Sequence, residues 1–163
     1  MEPYDYAHAV GFVPETCEDE VLELLARLRR IKDENPKGDE AQFSAEQNAL
    51  VVKNAEHYYR IMLRGSGESW NVRDEHMAET LARLLDFHGS DSKAIVWAHN
   101  THVGDARATD MAPALVNIGG LTRERHHDLG VVLVGFGTDR GQVVAAKSWD
   151  APMKLMDVPR AAE

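Results

Sequence analysis

The spacing of apolar residues predicts helices in the first half of the chain. Val21, Leu25 and Leu28 recur every three or four residues, which is the period of a helix with one buried face. The same period recurs twice more. Capping residues precede the first and third of these segments, and turn residues follow the first and second. Helices are therefore predicted over residues 17–33, 40–64 and 72–88.

Apolar runs without the helical period follow and predict strands. Residues 93–98 form a continuous run, which is typical of a strand buried on both faces. Residues 131–136 form a second run, and the loop 137–141 would return the chain through a strand at 142–146 as a β-hairpin. A short helix is expected over 111–121, interrupted by two glycines. The predicted class is α/β, with a helical N-terminal half followed by a strand of a mixed sheet, a short helix and a β-hairpin, in one domain.

Composition restricts the classes of partner. The chain has 163 residues, 44% of them hydrophobic and 28% charged, as in ordinary globular proteins. A net charge of −9 disfavours binding to nucleic acid or to an anionic membrane surface. The single cysteine, Cys17, cannot form an internal disulfide, so the cytoplasm is the expected compartment.

Two histidines follow the first predicted strand directly. His99 and His102 lie just beyond its carboxyl end, where open α/β sheets place their ligands. Asn100 and Thr101, which stand between them, can orient an imidazole ring. The same pattern is also typical of a strand end followed by a solvated loop, and both interpretations remain open.

Arg73 is a further candidate for a functional residue. It stands four residues before Met77 on the core side of the predicted third helix, where its charge in the first turn would oppose the helix dipole. Such conflicts mark functional or paired positions. The alternative is an arginine whose stem packs on the core while its head reaches water. Asp74 is explained by its place in the first turn after Asn71, the predicted N-cap.

Several blocks of this sequence, in the same order, resemble the erythromycin esterase family, which includes homologues described as succinoglycan biosynthesis proteins. The more specific blocks are similar to the family's Arg-Asp-x-x-Met-Ala and Ala-His-Asn-x-His-Val motifs. They comprise residues 73–78 and 98–103. Weaker similarity is found at Cys17-Glu18, in the glycine-punctuated segments 134–137 and 141–145, and at 158–161.

The resemblance implies a hydrolase that cleaves an ester bond, which in macrolide-active members is the lactone. A small-molecule ester is then the expected substrate, and neither a metal nor another cofactor is implied. His99 and His102 would be catalytic, one donating to the oxyanion or protonating the leaving alcohol and the other positioning water or substrate. Arg73 and Asn100 would bind substrate, and Arg73 would also pair with an active-site carboxylate.

The sequence departs from the family pattern in one important respect. Family members carry a Gly-Glu-x-x-His segment that supplies a catalytic base, and nothing here matches it. The chain is therefore expected to be a middle-to-C-terminal part of a larger esterase-like domain, or a degenerate relative, inactive alone. Association with the missing N-terminal half or with a second copy is expected.

Two other functions are compatible with these residues. One is a non-catalytic ligand-binding or assembly module. The other is a metal-dependent hydrolase, for which two histidines would need a third protein ligand.

Overall fold

The computed structural model describes residues 5, 17–34, 40–62, 67–148 and 151–160. Within these residues the chain forms five α-helices, and two short 3₁₀ turns cover Ala106–Ala108 and His127–Leu129. The helices are α1 (Glu18–Glu34), α2 (Glu40–Met62), α3 (Glu68–His88), α4 (Asn100–Val103) and α5 (Ile118–Arg125). One antiparallel pair of strands follows, β1 (Gly141–Ala145) and β2 (Lys154–Val158). The chain thus contains both helices and a sheet, as predicted.

The described residues divide into two compact units, one ending at Leu133 and the other beginning at Val134. Helices α1 to α5 belong to the first unit, and both strands belong to the second. No helix in the described part of the chain is both long enough and apolar enough to cross a bilayer.

Helices α1 and α2 pack through the apolar period read from the sequence. Val21 and Leu25 of α1 are buried against Ala49 and Leu50 of α2. The acidic residues in the first turn of α1 favour its start, because the N-terminal end of a helix carries partial positive charge. The predicted bounds of these two helices agree with the structure to within one residue, except that residues 63 and 64 lie outside the described residues.

Helix α3 packs on α2 on one side and on α5 on the other. Phe43 and Phe87 stack across the α2–α3 contact with ring centroids 4.2 Å apart. Towards α5, Ala78 and Leu81 are buried against Ile118. Because α3 is central, its remaining faces can bring polar side chains next to both neighbours.

The prediction of a buried strand at 93–98 is wrong. Residues 92–99 have no regular secondary structure, and Ile95 is 92% exposed. A strand needs a neighbour for its backbone hydrogen bonds, and no described segment pairs with this one. The apolar run is real, but its burial requires a partner strand that the described residues do not provide.

The predicted hairpin has one correct strand and one wrong one. Residues 141–145 form β1, close to the predicted 142–146, but they pair with 154–158 rather than with 131–136. Gly141 lies opposite Val158 and Ala145 opposite Lys154. The segment 131–136 is not a strand, and Val132 is 84% exposed. The sequence pattern predicted the strand at 141–145 but could not identify its partner.

Two helix starts also differ from the prediction. Helix α3 begins at Glu68, so Asn71 is inside it and is not its N-cap. The short helix expected over 111–121 is α5, which begins at Ile118 with Asn117 as its cap. Gly119 and Gly120 therefore belong to the first turn of α5 and do not interrupt a helix.

Candidate functional site

Asp74 and His102 form the most buried pair of an acidic and a basic side chain among the described residues. Asp74 lies on α3 with 0% of its side chain exposed, and His102 lies on α4 with 17% exposed. His102 Nδ1 is 2.9 Å from Asp74 Oδ1 and 3.0 Å from Oδ2, so its N–H donates to the carboxylate. Asp74 Oδ1 also accepts from the backbone N–H of Ile118 at 3.0 Å. A buried carboxylate therefore orients an imidazole from another helix.

The other nitrogen of His102 faces Arg73. Arg73 Nη2 is 3.4 Å from His102 Nε2, and a guanidinium can only donate. One neutral tautomer satisfies both contacts, with hydrogen on Nδ1 and a lone pair on Nε2. Trp70 stacks on the imidazole with ring centroids 4.7 Å apart, and the Arg73 guanidinium carbon lies 4.7 Å from the Trp70 ring centroid.

Among the described residues, Arg73 does not form the expected pair with a carboxylate. No ion pair of Arg73 with a described Asp or Glu lies within 4.0 Å, and its buried Nε has no hydrogen-bond partner among the described residues. The opposition between its charge and the helix dipole is also absent, because Arg73 follows Glu68 by more than one turn. What the structure brings together is Arg73 and His102.

Asn117 and Gly119 hold the histidine-bearing loop against α5. The buried Asn117 side chain donates to Thr101 O at 2.8 Å and accepts from Ala106 N at 3.2 Å. Gly119 packs directly on the backbone of Val103 and Gly104, where an added Cβ would overlap their carbonyl oxygens. These contacts fix the position of α4 and therefore that of His102.

His99 and Asn100 lie at the edge of this arrangement. His99 is exposed and caps α4, its Nδ1 accepting from Thr101 N at 3.3 Å. Because Nδ1 accepts, the hydrogen of a neutral His99 is on Nε2. Asn100 is exposed as the first residue of α4. The structure thus places one predicted histidine in the buried pair and leaves the other at the surface.

A cleft of about 330 Å³ lies between α2 and α3, and Arg73 is one of its lining residues. Its lining includes Val51, Tyr58 and Tyr59 from α2 and Val72, Arg73 and His76 from α3. His76 Nδ1 accepts from Asn54 Nδ2 at 2.7 Å, which leaves its Nε2–H as a donor.

Within the described ranges, no three histidine, cysteine, aspartate or glutamate side chains come close enough together to hold a metal ion.

The comparison with known families assigns the chain to one family. The erythromycin esterase family model matches residues 1–163, the whole chain. The chain belongs to this family. Membership of the erythromycin esterase family indicates an esterase-like hydrolase, and it confirms the resemblance found in the motifs. No solved structure matches the chain.

Asp74 is the site residue of this esterase-family chain that the sequence interpretation missed. It was assigned to the first turn of a helix starting after Asn71, whereas α3 starts at Glu68. A signal was present, because Asp74, Ala78 and Leu81 share one face, and all three are buried. A carboxylate on the core stripe of a helix needs a buried partner, and that partner is His102.

We predict that the stability of this esterase-family protein decreases as the pH falls below about 6.5, partly because of His76. Burial lowers the pKa of the His76 imidazole and the charge of Arg83 lowers it further, against a smaller opposing effect of Glu79. The unfolded chain therefore takes up this proton first. The contribution of neutral His76 to the free energy of unfolding is fully present above pH ~6.5, the pKa of histidine in the unfolded chain. It is lost as the pH falls from there through the lower pKa of the folded protein.

Urea unfolding at about pH 7.5 and about pH 5.5 measures this effect. The His76→Gln variant should lose less stability between the two pH values than the natural protein. His127→Gln is the matched control, because His127 is 71% exposed, and it should behave like the natural protein. An unchanged pH dependence in His76→Gln would contradict the prediction.

Proposed function

We propose that this protein hydrolyses the ester bond of a small molecule and that His102 and Asp74 are its central pair. The observation that carries the proposal is the contact between the buried Asp74 carboxylate and His102 Nδ1. This contact orients the ring so that Nε2 can accept a proton. An imidazole oriented in this way is the common arrangement for moving a proton in hydrolysis. Family membership supports the same class of reaction.

In this mechanism water forms a hydrogen bond to His102 Nε2 once Arg73 has moved from that nitrogen. As the water oxygen attacks the acyl carbon, its proton passes to Nε2, and the Asp74 carboxylate stabilises the imidazolium that results. When the tetrahedral intermediate collapses, the acyl–oxygen bond breaks and the leaving alkoxide takes that proton. The products are an acid and an alcohol, which remain parts of one molecule when the ester is a lactone.

The developing negative charge needs donors of its own. His99 presents Nε2–H at the surface end of the loop, and we assign to it donation to the oxyanion. Arg73 contributes positive charge, and Asn100 contributes an exposed amide that can contact the substrate. We include a macrolactone among the candidate substrates, because the family is that of the erythromycin esterases.

Replacing the two histidines separately tests these roles. His102→Gln should lower turnover by about 100-fold or more, because general acid–base catalysis is lost. His99→Ala should lower it by about tenfold, because an exposed donor stabilises charge less than one in a site that excludes water. Initial rates on 4-nitrophenyl acetate measure both effects, and circular dichroism verifies that the variants are folded.

The assay includes a control variant, two lengths of the protein and two ester substrates. His127→Ala removes another exposed histidine and should keep the natural rate. Hydrolysis is measured for the 163-residue chain and for the longest open reading frame that contains it, each with 4-nitrophenyl acetate and with erythromycin. The proposed function is wrong if His102→Gln retains the natural rate in the form of the protein that hydrolyses the ester.

A further inference from the structure

Arg73 both contacts His102 and lines the cleft between α2 and α3. On one side it donates to His102 Nε2 over 3.4 Å, which is long for a hydrogen bond. On the other side it lines the cleft between α2 and α3. Its Nε is buried and makes no hydrogen bond within the described part of the chain. A buried donor without a hydrogen-bond partner is unfavourable, so a ligand that accepts from Arg73 could displace it from His102.

The residues that line the cleft can bind an anion, which would compete with His102 for Arg73. His76 lies one helical turn after Arg73, and both line the same cleft. Arg73 can donate from Nε and Nη together, a fork that matches the two oxygens of a carboxylate. His76 adds a third donor through Nε2–H, since its Nδ1 already accepts from Asn54.

The remaining lining describes the body of the ligand. Tyr58 and Tyr59 meet edge to face with ring centroids 5.2 Å apart, and Val51 and Val72 add apolar surface. A volume of about 330 Å³ is at the small end of the range for ligand pockets. These features fit a small aromatic or apolar molecule that carries one anionic group.

We propose that the cleft between α2 and α3 binds a small carboxylate with an apolar body, and that binding draws Arg73 away from His102 Nε2. The carboxylate takes the Nε and Nη donors of Arg73, while the ring or chain of the ligand packs on the two tyrosines. His102 Nε2 is then open to water. Binding itself does not depend on the esterase function, whereas its effect on the rate rests on the proposed function.

Benzoate and benzamide test the binding step, because they share a shape and differ in charge. Isothermal titration of the 163-residue chain should show benzamide binding at least about tenfold more weakly than benzoate, since the charge-assisted bonds are lost. Arg73→Gln should weaken benzoate to a similar degree. Arg107→Gln is the matched control, because this exposed arginine pairs with Asp105, and it should leave benzoate binding unchanged.

A second variant keeps the Arg73–His102 contact intact. Val51→Trp places a large ring in the cleft from α2 and should abolish benzoate binding. In the natural protein, benzoate should also shift the ¹⁵N resonance of His102 Nε2, and in Val51→Trp it should not. This shift separates displacement of Arg73 from simple occupation of the cleft.

The outcomes divide clearly. Equal binding of benzoate and benzamide, undiminished binding by Arg73→Gln, an unmoved His102 resonance or no detectable benzoate binding would each overturn the proposal. Benzoate binding in the expected pattern supports it even if no ester is hydrolysed, a result that would count against the esterase function alone. Ester hydrolysis that depends on His102, combined with no binding of benzoate, would leave the esterase function standing and reject the cleft site.

Discussion

Ester hydrolysis is expected to fall by about 100- to 10,000-fold in the Asp74→Asn variant, which is the range that general acid–base catalysis supplies. The backbone N–H of Ile118 donates to Asp74 Oδ1, so an asparagine at this position keeps its oxygen there. Its NH₂ group then takes the position of Oδ2, 3.0 Å from His102 Nδ1, and favours the tautomer in which Nδ1 accepts. The hydrogen of the imidazole moves to Nε2, where it meets the donors of Arg73.

The physical effect of this substitution is a reversed tautomer rather than a lost contact. With hydrogen on Nε2, His102 can no longer accept a proton from water at that nitrogen. The positive charge that forms on the ring during the reaction also loses its carboxylate. The ¹⁵N resonances of His102 report the tautomer directly, and steady-state kinetics report the loss of rate.

Asp86→Asn is the matched control for this prediction. Asp86 lies on the same helix as Asp74 but is exposed, so its substitution should leave both the rate and the tautomer unchanged. If Asp74→Asn retained a rate within about threefold of the natural protein, its carboxylate would not serve proton transfer.

We expect Gly119→Ala to destabilise the protein by about 1–3 kcal/mol, the usual cost of overpacking a close contact. The added methyl group would overlap the carbonyl oxygens of Val103 and Gly104, which are backbone atoms. The α4 loop would have to move away from α5, and His102 would move with it. Activity should therefore fall together with stability.

The sign of this effect makes the prediction specific. Gly119 is the second residue of α5, and alanine is favoured over glycine in a helix by up to about 1 kcal/mol. Helix propensity alone would therefore predict stabilisation, and only the contact with the loop predicts the opposite. Urea unfolding measures the difference in the free energy of unfolding.

Gly135→Ala provides the comparison for Gly119→Ala. Gly135 has no atom within 4 Å of the position that its Cβ would take. Alanine there should be neutral or slightly stabilising, because it restricts the unfolded chain. Equal behaviour of the two variants would show that Gly119 does not hold the loop.

The histidine motif illustrates how far the sequence led. Its residues indicated the family, and family membership is confirmed over the whole chain. The motif did not distinguish His102, which is oriented by Asp74, from His99, which caps its own helix. The difference depends on which ring faces α3, and that contact spans 28 residues of sequence.

What the sequence determined by itself is local. The periods of α1 and α2 follow from apolar spacing, because a helix makes its hydrogen bonds within one segment. The strands at 93–98 and 131–136 failed because an apolar run does not contain its hydrogen-bonding partner, and β1 pairs instead with 154–158. Tertiary structure alone decided that pairing and the burial of Asp74. It also decided that Arg73 contacts His102 and lines the cleft. All three features depend on contacts between segments that are distant in the chain.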